Sequence, residues 1–173
     1  MEMKFRLPWR EYFSILSRVV KDPKSFYLEN AGESDWVKPA GVLLISSLVF
    51  TLITAVMAMP RTSLLMTGIY FVNAVGMVLI TSALGYLVAC LTQGTGVSYG
   101  KIFGIYAYAS GAVLVLAWMP FMLWIAEIWR WWIIGCGLKN GCGYATKDTL
   151  LIITLSLLTL ILGFWGISFL LTS

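Results

Sequence analysis

Glu127 and Arg130 lie three residues apart in "FMLWIAEIWRWW", residues 121–132. Opposite charges at that spacing meet on one helix face. Charges within an otherwise apolar membrane segment are expensive and point to function by default. With Asn73, they form a candidate intramembrane or interfacial polar site. Thr81, Ser82, Tyr106, Tyr108 and Ser110 could extend such a site into a solute path. The same groups equally serve as interhelical hydrogen bonds, worth about 0.6 kcal/mol each on average. No charged residue occupies the middle of the other long apolar segments. Coupled transport generally needs an ionisable relay or an unwound ion site, so the pattern weighs against it and leaves a passive path open.

Other chemistry is poorly supplied. The chain has no histidine, which removes the usual general base and the commonest metal ligand. Cys90, Cys136 and Cys142 form no C-x-x-C pair and lack a fourth ligand, so no metal is expected. No phosphate loop, nucleophile triad or paired carboxylates are present, and no cofactor is expected. The sequence reads as a non-enzyme.

Composition sets the class to which these residues belong. Of 173 residues, 60% are hydrophobic and 12% charged, with mean hydropathy +0.86. Soluble domains carry about 25% charged residues, so this chain lacks a polar coat large enough for water. The net charge of +4 forms no basic stripe, and nucleic acid is not an expected partner. Apolar runs predict an all-α polytopic membrane protein with spans at about 39–60, 64–91, 102–118, 121–138 and 149–171. This five-helix domain, residues 37–173, follows an amino-terminal segment, 1–36, which holds six of the twelve basic and six of the eight acidic residues. That segment has no apolar h-region, so it is not a cleaved signal peptide.

Lys and Arg before span one, with Lys101, Lys139 and Lys147, fall on one side; Arg61 falls on the other. The asymmetry predicts a cytoplasmic amino terminus and an outside carboxyl terminus. A short amphipathic helix over about 8–21 places Trp9, Phe13, Leu16 and Val20 on one face and Arg10 and Arg18 on the other. Pro23 is read as its stop. Two placements fit it: flat in the headgroups, or packed on the cytoplasmic ends of the spans.

Gly100, Gly104, Ala107 and Gly111 recur every three or four positions and form a helix-packing seam. In lipid, association depends on close packing, which small residues allow. The seam suits an oligomer interface or, in preference, packing against another span of the same subunit.

Three stretches carry a resemblance. "SRVVKDPKSFYLENAGESDWVKPAGVLLISSLVF" has Pro23 followed by Phe26, then Asp35 and Pro39 before span one. "GTGVSYGKIFGIYAYAS", residues 94–110, enters span three, and "IWRWWIIGCGL" precedes a short Gly-containing loop with Lys147. Together they resemble the Yip-one family of five-span membrane proteins, especially its prokaryotic branch. Gly111-Ala112 stands where that family often has proline, and the family's acidic-Leu-x-Gly-Pro motif is "DWVKP" here. The resemblance implies a plasma (inner) membrane protein. The Rab-type GTPase role of eukaryotic relatives is not carried over to a prokaryotic protein.

Two functions are therefore expected. One is a membrane scaffold or adaptor, partnered by the bilayer and by another membrane protein or a second copy, with loops 92–101 and 139–147 binding. The alternative is a small channel or transporter through the polar groups of spans two to four. On the expected topology Pro120 starts span four at the outer surface, placing Glu127 roughly 10 Å below it. Trp118, Trp124, Trp129, Trp131 and Trp132 suit a headgroup-level belt. A shallow hairpin over 119–126 would raise both charges to the interface. The pair is read as a marker of the outer interface in preference to a working site.

Overall fold

The computed structural model describes residues 9–32, 35–58, 63–94, 96–117 and 122–172. Among them the regular elements are seven helices: α1 (Trp9–Lys21), α2 (Pro23–Glu29), α3 (Val37–Met57), α4 (Leu64–Gln93), α5 (Tyr99–Leu114), α6 (Met122–Cys142) and α7 (Thr146–Thr172). The all-helical expectation holds. Arg61, Trp118 and Pro120, which the sequence reading used as boundaries, lie outside the described residues.

Local signals explain most boundaries. α1 ends at Lys21, as the Pro23 stop predicts, and Pro23 is itself the first residue of a second helix, α2, where its missing N–H costs nothing. Asp22 caps that helix, accepting from the Ser25 amide at 3.2 Å and the Ser25 hydroxyl at 2.7 Å. The Asp-Pro-x-Ser signal for a second helix was present in the sequence. Ser63 caps α4 through the Met66 amide. Gly94, at φ +81, ends it with an N–H bonded to the Cys90 carbonyl, a backbone conformation open chiefly to glycine. α6 begins at Met122, so residues 122–126 are helix and not part of a shallow hairpin.

α5 is the hub. From Ile102 to Val113 every residue is buried, and α1, α3, α4 and α6 all pack on it. Around it α3 meets α4, α4 meets α7, and α7 meets α6. α1 and α2 fill the side between α6 and α3: α2 packs on α6, while Tyr12 of α1 hydrogen-bonds Ser46 of α3 at 2.8 Å. Arg18 forms an ion pair with Glu29, tying α1 to α2. Both partners are half-exposed, so this pair adds little stability. The anchoring lies in Tyr12, Leu16, Val19, Phe26 and Tyr27, all buried.

Among the described residues, three helices are long and apolar enough to cross a membrane: Val37–Met57, Leu64–Gln93 and Thr146–Gly163. They expose rows of apolar residues, among them Leu48 and Leu52 on α3 and Leu158 and Leu162 on α7. These rows suit a lipid surrounding. α5 has only 16 residues, and α6 carries Glu127, Arg130 and Lys139.

The candidate polar cavity and the docked amino-terminal helices

Glu127 and Arg130 form the expected one-turn ion pair, with Arg130 Nη2 at 2.8 Å from Glu127 Oε2. Their environments differ. The Arg130 side chain is 19% exposed and that of Glu127 46%. The guanidinium stacks over the Trp131 ring at 5.3 Å, and Trp131 meets Tyr106 edge-on at 6.5 Å. Such stacking holds an arginine fork in one plane. Arg130 Nε is buried and has no acceptor among the described residues.

Both charges line a cavity of about 310 Å³ between α3, α4, α5 and α6. Asn73 and Ser110 join them there, as does Tyr70, which the sequence reading missed. Its signal was available: Tyr70 lies three residues before Asn73, on the same helix face. The three named site residues, Glu127, Arg130 and Asn73, thus meet in one place.

The other polar residues do not extend the cavity. Thr81 bonds the Met77 carbonyl at 2.7 Å, and Ser82 bonds the Leu79 carbonyl at 3.0 Å and lies 3.3 Å from the Tyr99 hydroxyl. Tyr108 packs edge-on against Phe26. Tyr106 points its hydroxyl at Gly85, where an added Cβ would lie 2.5 Å away. Past Ser110, the bundle between the cavity and α2 is filled by Ala107, Ile105, Ile133, Ile134 and Leu138, all buried. The cavity is therefore closed on that side.

The tryptophan belt is divided. Trp124, Trp129 and Trp132 are exposed, whereas Trp131 turns inward against the core. Trp118 is outside the described residues.

At the opposite end, α2 is fastened by Tyr27, whose hydroxyl donates to the Ile105 carbonyl at 3.1 Å. Burial pushes the Tyr27 phenol well above its ordinary range, so it stays a donor. Gly137 makes the approach of α6 feasible: a Cβ there would lie 2.4 Å from Ile105 Cγ2. A cleft of about 30 Å³ joins Tyr27, Asn30, Asp35 and Lys101 at this end.

The amino-terminal face splits in two. Leu16 is buried and Val20 half-buried, while Trp9, Arg10, Phe13 and Arg18 are exposed. α1 thus packs on the bundle through Tyr12, Leu16 and Val19 and leaves two aromatic side chains outward. The glycine seam faces α3 of the same chain: Gly104 lies against Pro39, and Gly111 against Val42 and Ser46. Ala107 is fully buried between them, and Gly100 is half-buried.

The three cysteines are free thiols, Cys136 buried and the others half-buried. Among the described residues, no group of three His, Cys, Asp or Glu side chains is placed to hold a metal ion.

Comparison with protein families matches residues 17–168 to the Yip1 domain. The match runs from α1 into α7 and includes both the docked helix α2 and the polar cavity. No curated protein and no solved structure matches the chain.

Proposed function

The chain belongs to the Yip1 domain family, and from that premise we propose that it is a non-enzymatic membrane scaffold or adaptor. In this reading α3 to α7 all cross the bilayer. α5 spans inside the ring of other helices, where its short length exposes little backbone to lipid. The end bearing α2 is cytoplasmic, since Lys21, Lys24, Lys38, Lys101, Lys139 and Lys147 gather there. The carboxyl terminus is outside, and the membrane is the plasma (inner) membrane.

The observation that carries this reading is the fastening of α2 by Tyr27 to the Ile105 carbonyl. It joins α2 to α5 and α6 and makes one preformed surface with residues 96–98 and 143–145. Preformed surfaces bind without the ordering cost of a free tail. The partner is a second membrane protein or another copy, held through this surface.

Photo-crosslinkers at Lys139 and Lys147, with one at lipid-facing Leu158 as control, test the proposal at native expression. A discrete adduct from the loop positions and not from Leu158 is the expected outcome. Recovery of the chain alone from all three positions would count decisively against it.

One observation favours a second reading, a passive solute path: Glu127, Arg130, Asn73, Tyr70 and Ser110 share a cavity. The packed core below Ser110 argues for a binding cavity over a pore. Proteoliposome flux separates the two, and a flux altered by Glu127→Gln with Arg130→Gln would establish the path.

A further inference from the structure

The polar cavity has two unlike and adjacent needs. Arg130 offers five N–H donors in a planar fork, and its Nε is buried without an acceptor among the described residues. Glu127, nearly half exposed, has carboxylate lone pairs beyond the one facing Arg130. A ligand of one sign would leave one member of this pair uncompensated in a low-dielectric setting. A ligand carrying an anion beside a hydrogen-bond-donating cation satisfies both.

The surroundings add shape. Tyr70, Asn73 and Ser110 supply neutral polar groups, and the volume of about 310 Å³ is at the small end of ligand pockets. Asn73 also borders an exposed apolar face of α4 running from Leu64 to Val72. Glu127 is five residues into α6, roughly 8 Å from its start, a depth that suits the junction of headgroup and acyl chain. A polar chamber meeting an exposed apolar helix face at one residue fits an amphiphile.

The geometry points to a site for a zwitterionic phospholipid with a primary-ammonium headgroup, its phosphate on Arg130, its ammonium on Glu127 and an acyl chain along α4. Arginine matches phosphate oxygens through its fork. A primary ammonium donates hydrogen bonds to a carboxylate, whereas a quaternary one has no N–H to give. The site therefore distinguishes phosphatidylethanolamine from phosphatidylcholine. It is independent of the scaffold reading, since it lies at the other end of the bundle.

The test uses the full chain in nanodiscs containing equal amounts of these two lipids with matched acyl chains. Lipid retained after delipidation is quantified, and thermal unfolding is followed in each lipid separately. The wild type should retain phosphatidylethanolamine over phosphatidylcholine by about tenfold, the scale of one charge-assisted hydrogen bond. Glu127→Gln should abolish that preference, Arg130→Gln should lower retention of both lipids, and Lys101→Gln should leave both readings intact. Equal retention by the wild type, a preference surviving Glu127→Gln, or undiminished retention in Arg130→Gln overturns the proposal. If the variants fail to fold, the wild type decides: a higher Tm in phosphatidylethanolamine supports the site, and equal values sink it. Soluble phosphoethanolamine displacing the lipid at comparable concentration would overturn the acyl-chain assignment.

Discussion

The Tyr12 hydroxyl lies 2.8 Å from Ser46 Oγ, joining the amino-terminal helix to the middle of α3 in a buried contact. Ser46 is nine residues past the start of α3, roughly 13 Å along its axis. The contact therefore holds α1 against the flank of the bundle, where a helix lying loose on the membrane would not reach.

Removing this contact should be measurable. Tyr12→Phe keeps the ring and leaves Ser46 without its partner, at a cost of about 1–2 kcal/mol. Tyr12→Phe combined with Ser46→Ala should cost less than the sum of the single changes, because neither group is then stranded. Unfolding in mild detergent provides the four values, and strict additivity would show that the bond contributes nothing.

Gly137 should tolerate no side chain. An added Cβ meets Ile105 Cγ2 at 2.4 Å and the Tyr27 ring at 3.1 Å, so Gly137→Ala forces α6 away from α5 and α2. We expect about 1–3 kcal/mol of destabilisation, the cost of overpacking a filled core. Gly163→Ala, in open space, is the control and should not lower the Tm.

The glycine seam predicts a folding defect in place of an assembly defect. Gly111→Leu drives a side chain into Val42 and Ser46 of the same chain. The variant should lose Tm by several degrees in a detergent-solubilised monomer. A variant of unchanged Tm that fails only to crosslink as a dimer would place the seam between subunits.

The ion pair should respond asymmetrically. Glu127→Gln strands a mostly buried guanidinium, whereas Arg130→Met replaces it with an apolar chain of similar length. Buried pairs often cost little to replace by apolar groups and more to break from one side. Glu127→Gln is expected to destabilise by about 1–3 kcal/mol and the double change by less. Chemical unfolding of the three variants checks the order.

Asp22 gives a pH signature. Hydrogen bonds from the Ser25 side chain and amide hold its carboxyl below the ordinary aspartate range. Its capping contribution is therefore fully present above the unfolded value of about 4 and is lost as pH falls through the lower folded value. Protection of the Ser25 amide, taken relative to its intrinsic exchange rate, should fall only in acid, and Asp22→Ala should remove that change in protection.

Much of this molecule is legible residue by residue. Apolar runs longer than a bilayer needs can only be helices, because backbone groups in lipid must bond within their own segment. That argument yields α3, α4 and α7 to within a few residues. The Glu127–Arg130 contact follows from helix spacing alone. α2 was legible too, in Asp22, Pro23 and Ser25, but a proline reads as a stop unless the capping residue before it is weighed.

Other features depend on contacts that no local pattern encodes. Tyr12 and Ser46 are separated by 34 residues, and Tyr27 and Ile105 by 78. The composition of α1 suits a headgroup face and a protein face equally, and only its docking divides Tyr12 from Phe13. The sequence by itself determined an apolar helical membrane protein with one charged pair beside its tryptophans. Tertiary structure alone decided that Asn73, Tyr70 and Ser110 join that pair, and that the glycine seam is occupied by α3. The reason is physical: helix period sets which residues share a face, whereas packing between helices sets which faces meet.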